Sequence, residues 1–218
     1  KLDAMGDVLR TTSVLPALHQ KYPNAHITWI TKKNAKSLLD QNPYIDRLLC
    51  LEEYYLPFVL NEEFDVVISL GPDPHSASIL SIARSSCKQG FIANETGAVE
   101  PINTNAHEWY WMGLNDELKV NNRKTYFELI YQICELDLPI FKPQYSLTEK
   151  AVRNADSFKI KQQLTNKIIG INTGGGNRWQ CKKWMPEHYI SYIKMLKDKY
   201  PENSLLLLGG PEEVDFNE

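Results

Sequence analysis

Apolar residues recur along this chain at two different periods, and their alternation lays out a fold. Asp7 leads into a stretch with Val8, Thr11, Leu15, Leu18 and Tyr22 at spacings of three and four. That spacing predicts one amphipathic helix, stopped by Pro23 and Asn24. "AHITWI" then alternates as a strand does. "AKSLLDQNP" predicts a short helix, "IDRLLCL" a second strand, and "FDVVISLG" a short apolar run typical of a buried parallel strand. "HSASILSIARSS" predicts a helix and "KQGFIA" another strand. "NRKTYFELIYQICELDL" predicts a helix with Tyr126, Leu129, Ile130 and Ile133 on one side. Strands alternating with helices predict an α/β protein whose parallel sheet is covered on both faces.

The pattern changes near residue 139 and then restarts. "LPIFKPQYSL" carries two prolines and reads as a linker, followed by a polar helix from roughly Thr148 to Leu164. "KIIGIN" predicts a buried strand, "MPEHYISYIKMLKDKY" a helix with Pro186 near its first position, and "SLLLLGG" a strand. The helix ending "QKYPNA" in the first half is echoed by "DKYPENS" in the second, each leading into a strand. Two Rossmann-like domains in tandem are expected, over residues 1–142 and 143–218. A loop such as "KLDAMGD" follows a strand in such folds, so Lys1 reads as the interior of a longer polypeptide whose first strand is missing. The second domain reads as incomplete, with two strands and one crossover helix.

Composition narrows the classes. The chain has 218 residues, 43% hydrophobic and 23% charged, as in a globular protein. A net charge of −3 gives no general reason to bind nucleic acid. The longest aliphatic run, Leu205 to Leu208, is far short of a membrane span. Cys50, Cys87, Cys134 and Cys181 are widely spaced, which argues against a zinc site or disulfide framework and fits a reducing cytoplasm.

Parallel sheets present ligands to the loops at the carboxyl ends of their strands, and three loops qualify. In "KLDAMGD", Gly6 permits a tight turn and close approach, and Asp7 stands at or next to a helix N-cap. Asp7 is either a capping residue or a general base at the mouth of the helix, with Asp3 beside it as an orienting group. In "NTGGGNRWQCKKW", Gly174, Gly175 and Gly176 expose backbone N–H groups suited to phosphate, Thr173 adds a hydroxyl, and Lys182 and Lys183 add charge. The alternative is a solvated basic loop. The dinucleotide fingerprint fails because Trp179 stands at its third glycine, and the P-loop fails for lack of GK[ST]. In "LLLLGGPEE", Gly209 and Gly210 end a strand, and Glu212 or Glu213 either binds ribose hydroxyls or serves a helix N-terminus. His75 in "GPDPHS" and His107 beside "EWYW" read as surface or aromatic-cluster residues. Thr31, Lys32 and Lys33 after the "ITWI" strand disfavour an NAD-dependent oxidoreductase, which needs an acid there.

Taken in order, these loops resemble glycosyltransferase family 9, the ADP-heptose:lipopolysaccharide heptosyltransferases. "KLDAMGDVLRTTSVLPALHQKYPNAHITWIT" is similar to the family's first signature. "IGINTGGGNRWQCKKWMPEHY" is similar to its second, with Lys182, Trp184, Pro186 and Glu187 filling K-x-W-P-x-E around an inserted Met185. "LLLLGGPEE" is similar to the third. The resemblance implies a GT-B architecture, an acceptor-binding N-terminal domain and a nucleotide-sugar-binding C-terminal domain. It implies inverting, metal-independent transfer of heptose from ADP-heptose, with no cofactor, to a glycolipid or oligosaccharide acceptor of the lipopolysaccharide core. It also implies Asp7 as base, Lys182 as donor-phosphate contact, the Thr173 to Gly176 loop as diphosphate cradle, and Glu212 or Glu213 near the ribose. A lipid-linked acceptor implies peripheral work at the cytoplasmic face of the inner membrane. A member using another nucleotide sugar, or a non-catalytic nucleotide-binding homologue, carries the same motifs.

Overall fold

The computed structural model describes residues 1–137, 139–164, 167–174, 181 and 183–218. The chain divides into two compact units, Lys1–Leu147 and Thr148–Glu218.

Unit 1 opens with α1 (Met5–Thr11) and α2 (Val14–Lys21). The spacing predicted one helix here, and Pro16 explains the break. Proline has no N–H for the carbonyl of Thr12, and its ring crowds that carbonyl. The chain crosses the gap with three-residue bonds instead: Thr12 N–H to Leu9 O, Ser13 N–H to Arg10 O and Leu15 N–H to Thr12 O. β1 (Thr28–Thr31) follows, then a 3-10 turn over Lys33–Leu38, and β2 (Arg47–Cys50) lies parallel to β1. After α3 (Leu56–Asn61) come β3 (Val66–Ser69), α4 (Pro74–Ile82) and β4 (Cys87–Ala93), with β3 and β4 parallel.

β5 (Val99–Pro101) departs from the expected all-parallel pattern by pairing antiparallel with β4. Asn94 and Gly97 make the reversal. Asn94 Oδ1 accepts from the N–H of Thr96 and of Ala98, and Gly97 takes φ +82°. Gly90 within β4 has φ +96°, and a Cβ there would fall 1.8 Å from the Ser69 carbonyl oxygen, so only glycine fits. The unit ends with α5 (Thr104–Leu114), α6 (Asp116–Asn121) and α7 (Tyr126–Ile133). α7 is shorter than its apolar pattern because Thr125 and Glu128 close a capping box at its start.

Two apolar clusters hold unit 1. One gathers Val14 and Ala17 of α2, Phe91 of β4, and Ile130 and Ile133 of α7. The other joins Val8 and Leu15 to Trp29, Ala35 and Leu39. The proline-bearing stretch after α7 is pinned to this unit. The Tyr131 hydroxyl donates to Ser13 O at 2.7 Å and accepts from the Phe141 N–H at 2.9 Å. Gln144 N–H donates to Thr12 Oγ1 at 2.7 Å, at the helix break.

Unit 2 comprises α8 (Glu149–Lys161), β6 (Ile168–Asn172), α9 (Pro186–Lys199), β7 (Ser204–Leu208), a 3-10 turn over Pro211–Glu213, and α10 (Val214–Asn217). β6 and β7 pair in parallel, Ile168 with Ser204 through Asn172 with Leu208. β6 was expected to be buried, yet only its Ile171 is.

Candidate active site

In unit 1 the loop into α1 carries Asp3, Gly6 and Asp7. Ala4 takes the N-cap position, so Asp7 lies in the first turn of α1 and makes no capping bond. Gly6 has ordinary helical backbone rather than a tight-turn conformation, and a Cβ there would meet nothing within 4 Å. The Asp7 carboxylate instead forms an ion pair with Arg10, one turn along the helix. The Arg10 guanidinium lies 3.8 Å from the centroid of the Tyr126 ring, a cation–π contact. Thr11 Oγ1 donates to the Asp7 carbonyl at 2.7 Å, and its remaining capacity accepts the Tyr126 hydroxyl at 2.8 Å. Burial pushes the Tyr126 phenol above its ordinary pKa, so it keeps the proton it donates. Asp7, Arg10, Thr11 and Tyr126 are thus one tied cluster, with the carboxylate side chain 34% exposed. Asp3 pairs with the buried Lys1 ammonium at 2.6 Å.

The loop after β3 shares this neighbourhood. Lys1 Nζ donates to Leu70 O at 2.5 Å. Asp73 caps α4, its Oδ1 accepting the Ser76 N–H at 3.0 Å. Asp73 Oδ2 and Ser76 Oγ are buried without a hydrogen-bond partner among the described residues, which makes both candidate contacts for a polar ligand. The sequence reading looked only at His75 in "GPDPHS", and His75 is exposed, as is His107 on α5. A polar pair three apart at a strand's carboxyl end is the signal that would have pointed to Asp73 and Ser76.

In unit 2 the loop after β6 begins with Thr173 and Gly174. Thr173 is buried, with its hydroxyl 2.6 Å from Asn217 Oδ1 and 3.3 Å from Leu208 O. The Gly174 N–H donates to Asn172 Oδ1 at 3.0 Å. Lys183 Nζ lies 2.8 Å from Glu213 Oε1, and the Gly210 N–H donates to Glu213 Oε2 at 2.9 Å. Glu213 is buried, so it organises the glycine turns from within, whereas Glu212 is exposed. A Cβ at Gly209 would fall 2.6 Å from Glu213 Cβ, which gives that glycine a packing role. Trp184 meets His188 and Tyr192 edge-on and Tyr189 at a tilt, at the start of α9. Lys182, Gly175, Gly176 and Trp179 lie outside the described residues.

Among the described residues no group of three or more His, Cys, Asp or Glu is placed to hold a metal ion. No helix among them is long and apolar enough to cross a membrane.

No protein-family model matches this sequence, and no curated protein matches it. Solved structures do. A family 9 glycosyl transferase from Veillonella parvula shares 18% identity and a TM-score of 0.76, over 100% of this chain and 63% of that one. E. coli ADP-heptose LPS heptosyltransferase II shares 18% identity and a TM-score of 0.62, over 98% and 65%. E. coli heptosyltransferase WaaC, solved with ADP, shares 16% and 0.58, over 99% and 67%. The fold is therefore that of the family 9 glycosyltransferases, α/β with parallel sheets in two units of the GT-B kind. The chain spans a little under two thirds of the length of the first two structures.

Proposed function

We propose that this chain serves a family 9 glycosyltransferase reaction: inverting, metal-independent transfer of heptose from ADP-heptose to an acceptor of the lipopolysaccharide-core type. One observation carries the reading. The fold match runs along the whole chain and falls on the same family that the three sequence signatures resemble.

The chemistry asks for two things. An acceptor hydroxyl is a weak nucleophile, so a base must take its proton as the new bond forms. Asp7 is assigned that role, with Asp3, Asp73 and Ser76 as acceptor contacts. Arg10 holds the Asp7 carboxylate through its ion pair and must release or share it as the proton arrives. The departing diphosphate gains negative charge as the sugar acquires oxocarbenium character. Lys182 and the N–H groups of Gly174, Gly175 and Gly176 are assigned to stabilise it. Lys183 is assigned a secondary part because it is committed to Glu213. Exposed Glu212 is the better candidate for a ribose contact, with Gly209 and Gly210 shaping its turn. A lipid-linked acceptor places the reaction at the cytoplasmic face of the inner membrane, reached from the cytoplasm by peripheral association.

A second reading, a homologue that binds nucleotide without turnover, draws on one observation: Thr173, the Gly174 N–H and Lys183 all have internal partners. One assay separates the two. The protein is incubated with ADP-heptose and a heptose-free core acceptor, and released ADP and product mass are measured. Turnover that survives chelator is expected, and Asp7→Asn should lower kcat by roughly 10²–10⁴-fold. Undiminished turnover in that variant removes Asp7 as the base. ADP binding without product formation favours the second reading.

A further inference from the structure

Asp7 and Arg10 stand three apart on α1 and pair along one face of it. Both side chains are partly exposed, at 34% and 45%, and an ion pair between such groups holds its partners only weakly. A second contact decides where the Arg10 guanidinium sits. Its central carbon lies 3.8 Å from the centroid of the Tyr126 ring on α7, a separation at which a flat cation stacks on an aromatic face. The ring is itself held at three points. Its hydroxyl donates to Thr11 Oγ1 at 2.8 Å. Trp109 of α5 meets it edge to face, with ring centroids 5.4 Å apart. It also packs on the enclosed cluster that contains Phe91 and Ile130.

Thr11 is fully buried and donates back to the Asp7 carbonyl at 2.7 Å. The contacts therefore close a circuit. It runs from the Asp7 carboxylate to Arg10, from Arg10 to the Tyr126 ring, from the Tyr126 hydroxyl to Thr11, and from Thr11 to the Asp7 backbone. The circuit leaves the two carboxylate oxygens unequal. Arg10 donates to Oδ1, which among the described residues is the carboxylate oxygen that is bonded.

We infer that Tyr126 is a positioning residue for the Asp7 carboxylate: its ring seats Arg10, Arg10 fixes Asp7 through Oδ1, and Oδ2 is presented as the oxygen that takes the acceptor proton. The assignment of that proton rests on the sugar-transfer reading above. In that step the proton of the acceptor hydroxyl passes to Oδ2 and the hydroxyl oxygen bonds to the anomeric carbon of the sugar. The bond from that carbon to the diphosphate breaks, and its electron pair leaves with the diphosphate. Arg10 shares the carboxylate and keeps Oδ1. A carboxylate left to turn about its own side-chain bonds would face the hydroxyl only part of the time, and a misplacement of about 1 Å can cost on the order of 10²-fold in rate. Tyr126 acts through Arg10, from a different helix.

The test is a double-mutant cycle with two readouts. Tyr126→Leu, Tyr126→Phe, Arg10→Met and the double variant Tyr126→Leu/Arg10→Met are compared with the parent. In turnover of ADP-heptose, Tyr126→Leu should lower kcat by roughly 10–10²-fold with the donor KM unchanged. Tyr126→Phe keeps the ring and should keep most of the parent kcat. The double variant should be no slower than Arg10→Met alone, because a residue that acts through Arg10 has nothing to act on once Arg10 is gone. Losses that multiply, or equal losses in the Phe and Leu variants, overturn the inference and make Tyr126 a support of α1 only. The second readout needs no substrate. In side-chain NMR the Arg10 δ protons should be displaced upfield by the ring in the parent and in Tyr126→Phe. The Asp7 carboxyl carbon should shift alike in Tyr126→Leu and Arg10→Met. Undisplaced Arg10 signals in the parent overturn the inference with no variant required. If both signals behave as expected while the parent forms no product, the positioning of Asp7 stands and the sugar-transfer reading fails.

Discussion

Around α7 of unit 1, Ile130, Ile133 and Cys134 are fully enclosed with Val14, Ala17 and Phe91. Around β6 of unit 2, Ile171 and Leu196 are the buried apolar residues among those described, while Ile168, Leu207 and Leu208 are exposed. The same strand–helix alternation therefore yields an apolar core in one unit and a polar tie in the other. What fixes the unit 2 loops is Glu213 with Lys183 and the Gly210 N–H, and Thr173 with Asn217. Hydrophobic burial contributes roughly 25 cal/mol per Å², whereas polar pairs net only about 1 kcal/mol each. A global unfolding measurement on this chain should therefore report unit 1.

The largest effect expected follows from that contrast. Phe91→Ala removes a ring with no exposed surface and should cost about 3–5 kcal/mol in a urea melt. Leu196→Ala, at 6% exposure in unit 2, should fall at or below the low end of the Leu→Ala range, about 2 kcal/mol. Equal losses would break the comparison, because unit 2 would then have a core of its own.

The contrast also marks what the chain reveals before folding. Strand and helix alternation was legible because each period is a local property of side-chain spacing. Positions that failed depend on one residue overriding a pattern. Pro16 sat inside a correct amphipathic spacing and still split it. Asn94 and Gly97 turned β5 antiparallel, although nothing in the apolar pattern of "KQGFIA" says so. α3 is a six-residue, mostly apolar stretch too short to show a period, α5 and α6 mix polar and apolar residues, and none of the three was anticipated. At the candidate site, the sequence put Asp7 at or next to the N-cap of a helix, whereas it stands in the first turn of α1, and its partners were not legible. Arg10 lies one turn away and Tyr126 more than a hundred positions away, and pairing across that distance is a tertiary fact. Glu212 or Glu213 was read as a ribose contact or as a helix N-terminal charge, and the burial of Glu213 beside Lys183, thirty residues earlier, is a tertiary fact of the same kind.

Cys134 offers the next largest effect and a chemical handle on the unit 1 core. Burial pushes its thiol up to about 12 from the usual 9.0. The folded state therefore keeps the proton after the unfolded state has lost it. Stability from this group is fully present below pH 9 and is lost as pH rises from about 9 to about 12, at roughly 1.4 kcal/mol per unit. Cys134→Ala should flatten the alkaline limb of a stability–pH curve by up to about 4 kcal/mol at its end. An unchanged limb would mean that the thiolate is reached by water without global opening.

Tyr131→Phe is smaller and sharper. It removes one hydroxyl that satisfies both Ser13 O and the Phe141 N–H, and should cost about 1–3 kcal/mol. Faster amide exchange at Phe141 should accompany the loss, because the segment after α7 is held there. If stability falls while Phe141 exchange does not change, the hydroxyl matters for the start of α2 rather than for the segment after α7.

The smallest effect separates the units most cleanly, since it uses the same chemistry in both. Thr125 caps α7 in unit 1, and Thr148 caps α8 in unit 2 by accepting the Ala151 N–H at 3.1 Å. Replacing either with alanine should cost its helix about 1 kcal/mol. α7 buries Leu129, Ile130, Tyr131 and Ile133, and α8 buries none of its residues. Thr125→Ala should therefore lower the global melt, while Thr148→Ala should raise amide exchange within α8 and leave the melt unmoved. The unit 1 cap also carries a pH signature. The Thr125 backbone N–H, and then its hydroxyl, hold the Glu128 carboxyl below its usual 4.5. Its contribution is present above that unfolded value and is lost as pH falls through the lower folded one. Acidification should thus loosen the start of α7 in the parent protein more than in Glu128→Gln, whose amide does not titrate. A global response to Thr148→Ala as large as that to Thr125→Ala would show that α8 is coupled to the core that α7 completes.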